Sequence, residues 1–473
     1  MKKTITLITL LLTIFISSFT TAYANAMDSS KKETGLTLDI ARRFYPVETI
    51  KQFIDTIHQA GGTFLHLHFS DHENYALESS YLDQQEANAV QKNGTYFNPK
   101  TDKPFLTYKQ LNDIIYYAKE KNIEIVPEVD SPSHMTAIFD LLTLKHGKEY
   151  VKGLKSPYLA EEIDINNPEA VEIIKTLIGE VIYIFGHSSR HFHIGGDEFS
   201  YAVENNHEFI RYVNTLNDFI NSKGLITRIW NDGLIKNNLN ELNRNIEITY
   251  WSYDGDAQAK EDIKYRREIR AGLPELLASG FKVLNYNSYY LYFVPKSGSN
   301  IHNDSKYAAE DVLNNWTLGK WDGKNTSNHV QNTQNIIGAS LSIWGERSGS
   351  LNGETIQEAS KKFIEGGYPK NQRSEITLEN QHKFCYYSFS TSGLFLQKIC
   401  KFRPLILSWF ANLPRQRFSL KSKLRIQNEL NTKSRRDLFR RTRLNHLPFP
   451  SHSRIWRGKC RSCDLSIWSA PCD

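Results

Sequence analysis

The 473 residues carry 58 Lys+Arg against 52 Asp+Glu, a formal charge of +6, but that sum averages two unlike regions. Residues 366–473 hold 21 basic and 6 acidic side chains, which leaves 37 and 46 for residues 1–365, so the body is acidic and gives nucleic acid no electrostatic footprint. All five cysteines (Cys385, Cys400, Cys460, Cys463 and Cys472) lie in the tail, which excludes a disulfide-stapled body; the lone Cys-x-x-Cys has only Cys472 and His452 nearby and argues against a tail zinc site.

The chain opens on Lys2 and Lys3, an apolar run from Ile5 to Phe19, and the segment TAYANA. A charged start, a short apolar stretch and an A-x-A site (Ala22-Tyr23-Ala24 or Ala24-Asn25-Ala26) read as a cleavable export signal, residues 1–24. The run is short and broken by Thr and Ser, so no membrane anchor is expected. From 25 to 365, β-rich runs alternate with helical ones. Strands are expected at 36–41, 63–69, 124–130, 191–196, 225–230, 246–251, 282–287 and 336–344, and helices at 49–59, 107–121, 169–184, 206–222 and 272–279. Leu111, Ile114, Ile115 and Ala118 recur at the spacing of one buried helix face. Asn167-Pro168-Glu169 is a helix start, with a capping Asn, Pro in the first turn and then an acid. Segments 297–306 and 321–335 read as polar loops. Past Glu346, Ile356, Ala359 and Phe363 mark one weak helix, expected to be a shortened eighth barrel helix. The pattern implies an α/β protein, a single (β/α)8 TIM barrel with an atypical basic C-terminal extension over 366–473.

A barrel of this kind collects its chemistry at the C-terminal strand ends. Arg42 follows strand one; Asp71 and His72 follow strand two. Glu128 and Asp130 end strand three, with His134 just beyond. Asp197-Glu198 ends strand four, Trp230 and Trp251 end strands five and six, NSYYLYFVP follows strand seven, and Trp344-Gly345-Glu346 ends strand eight. The two adjacent acids pose a puzzle. Glycosidases that use a carboxylate pair set the two groups on opposite sides of a sugar bond, about 5–9.5 Å apart, whereas neighbours on a strand point to opposite faces.

The motifs LDIARRF, FLHLHFSD, VPEVDSPSH, HIGGDE and SIWGE, in this order over residues 35–365, resemble family-20 glycoside hydrolases, the β-N-acetylhexosaminidases. The resemblance implies a retaining, substrate-assisted reaction in which the sugar's own 2-acetamido oxygen is the nucleophile. One protein acid then suffices at the glycosidic oxygen, and a neighbouring carboxylate orients the acetamido N–H. It implies Glu198 as general acid and base, Asp197 as the orienting carboxylate, and Asp71 and His134 as a supporting relay. Arg42, with Arg43 beside it as the alternative, would grip sugar hydroxyls, and Glu346 would bind the far edge of the ring. Trp230, Trp251 and Trp344 would wall the pocket, and Tyr292, with Tyr290 as competitor, would donate to the acetamido oxygen. Val294 stands where family members carry an acid, so one hydroxyl contact is expected to be missing, and DHENY replaces a glutamine-containing run. The resemblance further implies a secreted, extracellular, monomeric enzyme acting on poly-N-acetylglucosamine, in particular the β-1,6-linked polymer of biofilm matrix, with no cofactor, no metal and no need of nucleic acid.

Two rival readings remain. His66-x-His68 and His191-x-His193 could serve a metal-dependent barrel hydrolase, although these histidines precede the strand ends and suit hydrogen bonding within the barrel. A polysaccharide-binding barrel without turnover would keep the tryptophans but lose the acid, which is present. The Arg-rich tail reads as a disordered or non-native extension, or alternatively as a basic appendage for nucleic acid or anionic matrix.

Overall fold

Leu36, Leu38, Leu65 and Leu67 join the large buried cluster between sheet and helices, while Phe64, Val126, Trp230, Leu284, Tyr286 and Trp344 form a second cluster of their own. This is the two-residue alternation of strands buried on both faces, with one set turned toward the helices and the other into a closed barrel. The computed structural model describes residues 32–199, 206–252, 254, 259–321, 326–372, 384–387 and 398–401. The chain divides into two units, Met1–His382 and Lys383–Asp473. In the second, the described residues are two antiparallel strands, Phe384–Tyr387 and Lys398–Lys401. The expected export signal and nearly all of the basic tail lie outside the described residues.

The described residues of the first unit form twelve strands: β1 (Glu33–Asp39), β2 (Phe64–His68), β3 (Val90–Lys92), β4 (Thr95–Phe97), β5 (Pro104–Phe105), β6 (Glu124–Glu128), β7 (His191–His193), β8 (Ile226–Trp230), β9 (Glu247–Tyr250), β10 (Lys282–Asn285), β11 (Tyr292–Phe293) and β12 (Ile336–Ile343). Eight of them run parallel in the order β1-β2-β6-β7-β8-β9-β10-β12, and β12 pairs back onto β1, which closes the barrel. All eight coincide with the expected runs. The seventh position is split: β10 pairs with the first half of β12, and β11 resumes against Ser342 and Ile343. That break lifts Tyr292 to the mouth of the barrel beside Trp344. Strands β3, β4 and β5 form a small antiparallel sheet inserted after β2, which alternation alone did not signal.

The helices begin where local chemistry caps them. Thr107 and Gln110 form a capping box ahead of α2 (Tyr108–Glu120), whose buried residues are Leu111, Ile114, Ile115 and Ala118, as their spacing requires. The Asn167 side chain accepts from the Glu169 amide at the start of α5 (Pro168–Phe185). The other helices run α1 (Val47–Gln59), α3 (Thr136–His146), α4 (Lys148–Lys152), α6 (Asn206–Ser222), α7 (Lys260–Ile269), α8 (Leu273–Ala278), α9 (Ile301–Asn315) and α10 (Gly353–Gln372). Two expectations fail here. Segment 297–306 is not a loop throughout: Asn300 caps α9, whose buried stripe of Ile301, Ser305, Ala309 and Val312 is masked by its small and polar members. The eighth helix is not shortened, because α10 continues to Gln372, past the compositional break at 366. Ser305 donates to the Ala359 carbonyl at 2.6 Å, and a Cβ on Gly366 would stand 3.0 Å from that of Ala309, so small residues let the two helices touch.

Candidate active site

The acid pair sits on a turn that glycine makes. Strand β7 stops at His193, and Gly195 and Gly196 take φ of +76° and +96°, followed by Glu198 at +49°. A Cβ on Gly195 would lie 1.6 Å from the Asp130 carboxylate oxygen Oδ1, so a side chain is excluded on both counts. Alternation therefore ends before the acids, and both carboxylates come to one imidazole: His134 Nε2 is 3.6 Å from Glu198 Oε2 and 4.0 Å from Asp197 Oδ1. The puzzle of adjacent acids resolves in this way, with two neighbours on the same side of the site. Glu198 keeps 35% of its side-chain exposure and Asp197 17%, so the first faces outward and the second lies deeper.

Behind them, His134 Nδ1 is 3.1 Å from Asp71 Oδ1, and Asp71 Oδ2 is 2.5 Å from the Arg42 guanidinium. Burial disfavours the charge on Asp71, but His134, His68 and Arg42 outweigh it and hold the group well below the usual carboxylate range. Burial likewise opposes charge on His134, and Asp71 with Glu198 raises it well above the ordinary imidazole value. Arg42, rather than Arg43, faces the site: it also reaches Asp39 at 3.3 Å and Glu73 at 3.7 Å, and lies 5.6 Å from the Trp344 ring. Arg43 turns away to Ser348 Oγ, at 2.9 Å, and the Gly349 carbonyl.

The aromatic residues assemble around this pair. Tyr292 stacks on Trp251 at 6.4 Å with 9° between planes, and meets Trp344 at 5.6 Å. Burial, with Asp197 and Glu198 nearby, raises the Tyr292 hydroxyl well above its usual range, so it is held as a donor. Tyr290 is packed in the core with Lys320 over its ring and does not join this group. Trp230 lies 6.2 Å from Trp344 but is only 1% exposed, so it forms the floor rather than a wall. Glu346 is exposed, with Arg42 near enough to act on its charge. Val294 packs against this cluster, as an apolar residue at that position should.

Three acids that carry no role in the sequence reading matter here. Glu128 is fully buried and is a hub: Trp230 Nε1 donates to it at 2.8 Å, and nitrogens of His68 and His193 lie 2.6 and 2.9 Å away. His66 Nε2 is 3.1 Å away but off the hydrogen-bond axis. His68 also reaches Asp71 at 2.9 Å, so it bridges hub and relay. Burial raises Glu128, but His68, His193 and His66 more than reverse that and lower it. Ligand-type atoms of His66, Glu128 and His193 fall within 4.8 Å of one another, yet His193 Nδ1, the nitrogen that faces Glu128, already accepts from the Gly195 amide at 3.1 Å, and Glu128 Oε1 from Trp230 Nε1 at 2.8 Å. His191 belongs to another network, beside Glu124 at 2.9 Å. These distances fit histidines hydrogen-bonded within the barrel.

The second acid, Asp130, accepts from the Gly196 amide at 3.2 Å, and burial pushes it up to about 7. Burial and Asp130 together push Asp197 well above its ordinary value. The third, Asp232, accepts from the Glu198 amide at 3.0 Å and from Trp251 Nε1 at 3.0 Å. Its signal in the sequence was an acid two residues past Trp230, in IWNDG, overshadowed by the tryptophan.

Comparison with known proteins bears on the fold and the family. Residues 34–354 match the catalytic domain of glycosyl hydrolase family 20. The chain is 27% identical over 320 residues to the lacto-N-biosidase of Bifidobacterium bifidum, covering 62% of this chain and 25% of that protein. It is 23% identical to β-hexosaminidase subunit A1 of Dictyostelium discoideum, covering 67% and 55% of the two chains. It thus spans a quarter of the first relative and about half of the second. Among solved structures, dispersin B is 59% identical with a TM-score of 0.70, covering 72% of this chain and 99% of that one. The pneumococcal exo-β-D-N-acetylglucosaminidase shares the fold at 20% identity and a TM-score of 0.56, covering 73% and 84%. With the family's catalytic domain matched along the whole barrel, the chain belongs to glycosyl hydrolase family 20 and is a glycoside hydrolase.

Proposed function

We propose that the protein is an exported β-N-acetylglucosaminidase that hydrolyses poly-N-acetylglucosamine with retention, by a substrate-assisted mechanism, and that the β-1,6-linked biofilm polymer is its substrate. The observation that carries this reading is the placement of both neighbouring carboxylates on one imidazole, on one side of an aromatic box. That arrangement leaves the opposite face of a bound sugar without a protein nucleophile, and an acetamido group can supply one. The acetamido oxygen attacks the anomeric carbon as the glycosidic C–O bond breaks, and Glu198 gives its proton to the leaving oxygen. Asp197 accepts from the acetamido N–H and, once ionised, balances the positive oxazolinium ion. Water then gives a proton back to Glu198 and opens the ring on the original face. Tyr292, between Trp251 and Trp344, donates to the acetamido oxygen and fixes its line of attack. Arg42 and Glu346 hold ring hydroxyls. Nothing in this scheme needs a cofactor, a metal or a second subunit.

Export is supported by the leader-like start of the sequence, and among the described residues no helix is long and apolar enough to cross a membrane. The test is product analysis by NMR on β-1,6- and β-1,4-linked N-acetylglucosamine oligomers. Glu198→Gln should lower kcat by about 10²–10⁴-fold on unactivated oligomers, and Asp197→Asn should lower it comparably. Analogues lacking the acetamido group should be inert, and their turnover at a comparable rate would refute substrate assistance. Activity should survive chelators, and its loss would favour the metal-dependent alternative.

A further inference from the structure

We propose that Asp232 is a positioning residue that locks the turn carrying Glu198 and the indole of Trp251 into one rigid unit; this rests on the general-acid reading of Glu198. The acid stands five residues beyond the last residue of β7, where no ladder hydrogen bonds reach it. Among the described residues, three long-range tethers hold that stretch from Gly195 onward. Trp230 N–H donates to the Gly195 carbonyl at 2.9 Å, Gly196 N–H to Asp130 at 3.2 Å, and Glu198 N–H to Asp232 Oδ2 at 3.0 Å. Only the last acts on the acid's own backbone, and Glu198 needs it most, because φ of +49° is sparsely populated for a residue with a Cβ. The other oxygen, Oδ1, accepts from Trp251 Nε1 at 3.0 Å, and Trp251 is the ring on which Tyr292 stacks. Asp232 is 4% exposed, so water does not compete for either bond. The adjacent Asn231 takes the Trp251 backbone amide at 2.8 Å, so ring and main chain of Trp251 are held from the same turn.

A carboxylate suits this task and an amide does not. Both oxygens of Asp accept, whereas Asn would present an NH2 to one of the two donors. The Asp232→Asn variant should therefore lose one tether while keeping its shape. Measured as kcat and KM on an N-acetylglucosamine disaccharide, kcat should fall about tenfold or more. On the 4-nitrophenyl glycoside, whose leaving group needs no protonation, the fall should be much smaller. A merely structural role would lower both alike. Glu198→Gln serves as reference and should show the same selectivity more strongly. Trp251→Phe vacates Oδ1 alone; with turn and ring held as one unit, it should raise KM on both substrates and show a weaker form of the same selectivity. Selective loss in Glu198→Gln but equal loss, or none, in a folded Asp232→Asn overturns this inference alone. If Asp232→Asn fails to fold, selective loss in Trp251→Phe supports it and purely unselective loss overturns it. Absence of selectivity in Glu198→Gln overturns the general-acid reading itself.

Discussion

Single charges in this site are set by their neighbours, and Asp197 is the clearest case. In the proposed mechanism Asp197 is ionised to balance an oxazolinium ion, yet burial and Asp130 push it well above its ordinary value. Activity should therefore rise with pH as Asp197 loses its proton. Asp130→Asn removes the like-charged neighbour while keeping an oxygen for the Gly196 amide. A like charge raises a carboxyl pKa, so its removal lowers it. The acidic limb of kcat/KM should move to lower pH, and a limb that stays in place would mean another group controls it. His68 titrates in the opposite sense. Burial opposes its charge, but Glu128 and Asp71 raise it well above the usual imidazole value. Its contribution to stability is complete below the unfolded value and fades only as pH rises through that raised one. His68→Gln leaves two buried carboxylates facing each other and should cost about 3–5 kcal/mol in urea unfolding at neutral pH.

Among the elements, the short link from β7 to the acid pair does most to position chemistry. Gly195→Ala would add strain at φ +76° and press a methyl into Asp130, so kcat should collapse together with thermal stability. The capping box of α2 offers the contrast. Thr107→Ala removes an acceptor from the Gln110 amide far from the acids and should cost about 0.5–2 kcal/mol, with kcat unchanged. If Thr107→Ala altered kcat, the barrel would transmit helix strain to the site. HIGGDE was visible as a motif with a chemical purpose, whereas α2 was visible only through the spacing of Leu111, Ile114, Ile115 and Ala118. The insertion β3-β4-β5 and helix α9 were not visible, because their short strands and a stripe containing serine give weak periodicity.

For the whole molecule, a network of charges ties several strands together at the barrel's lower end. Arg228 is fully buried there, 2.6 Å from Glu33 and 3.0 Å from Glu247. Glu124 joins them through His191 and Arg190. Burial alone would raise Glu124, yet His191, Arg228 and Arg190 bring it down to about 2. A depressed carboxylate stabilises the fold above its unfolded pKa and loses that contribution as pH falls through the folded value. Glu124→Gln should thus cost about 1–3 kcal/mol at pH 7 and much less near pH 2, measured by denaturant melts at both. The basic tail poses a separate question, and its proposed status as a non-native extension predicts that a chain ending at Gln372 keeps its turnover. Weaker retention on DNA or anionic polymer at low salt after that truncation would instead favour the appendage.

The order of the eight barrel strands, and the presence of a polar or aromatic group at each strand end, were determined by the sequence itself. Periodicity and strand ends are local properties, so Arg42, Asp71, His134, Asp197, Glu198, Trp251, Trp344 and Glu346 could be placed along the chain without coordinates, while Tyr292 was picked out by the family resemblance alone. Only the closed barrel decided which side chains meet. Arg42 rather than Arg43 reaches Asp71, Tyr292 rather than Tyr290 stacks on Trp251, and Trp230 sinks to the floor on Glu128. Glu128, Asp130 and Asp232 acquired their partners in the same way, across 102, 66 and 34 residues of chain. The reason is physical: a hydrogen bond depends on a few tenths of an ångström between groups from different strands, and that separation exists only once the sheet has curled back on its first strand.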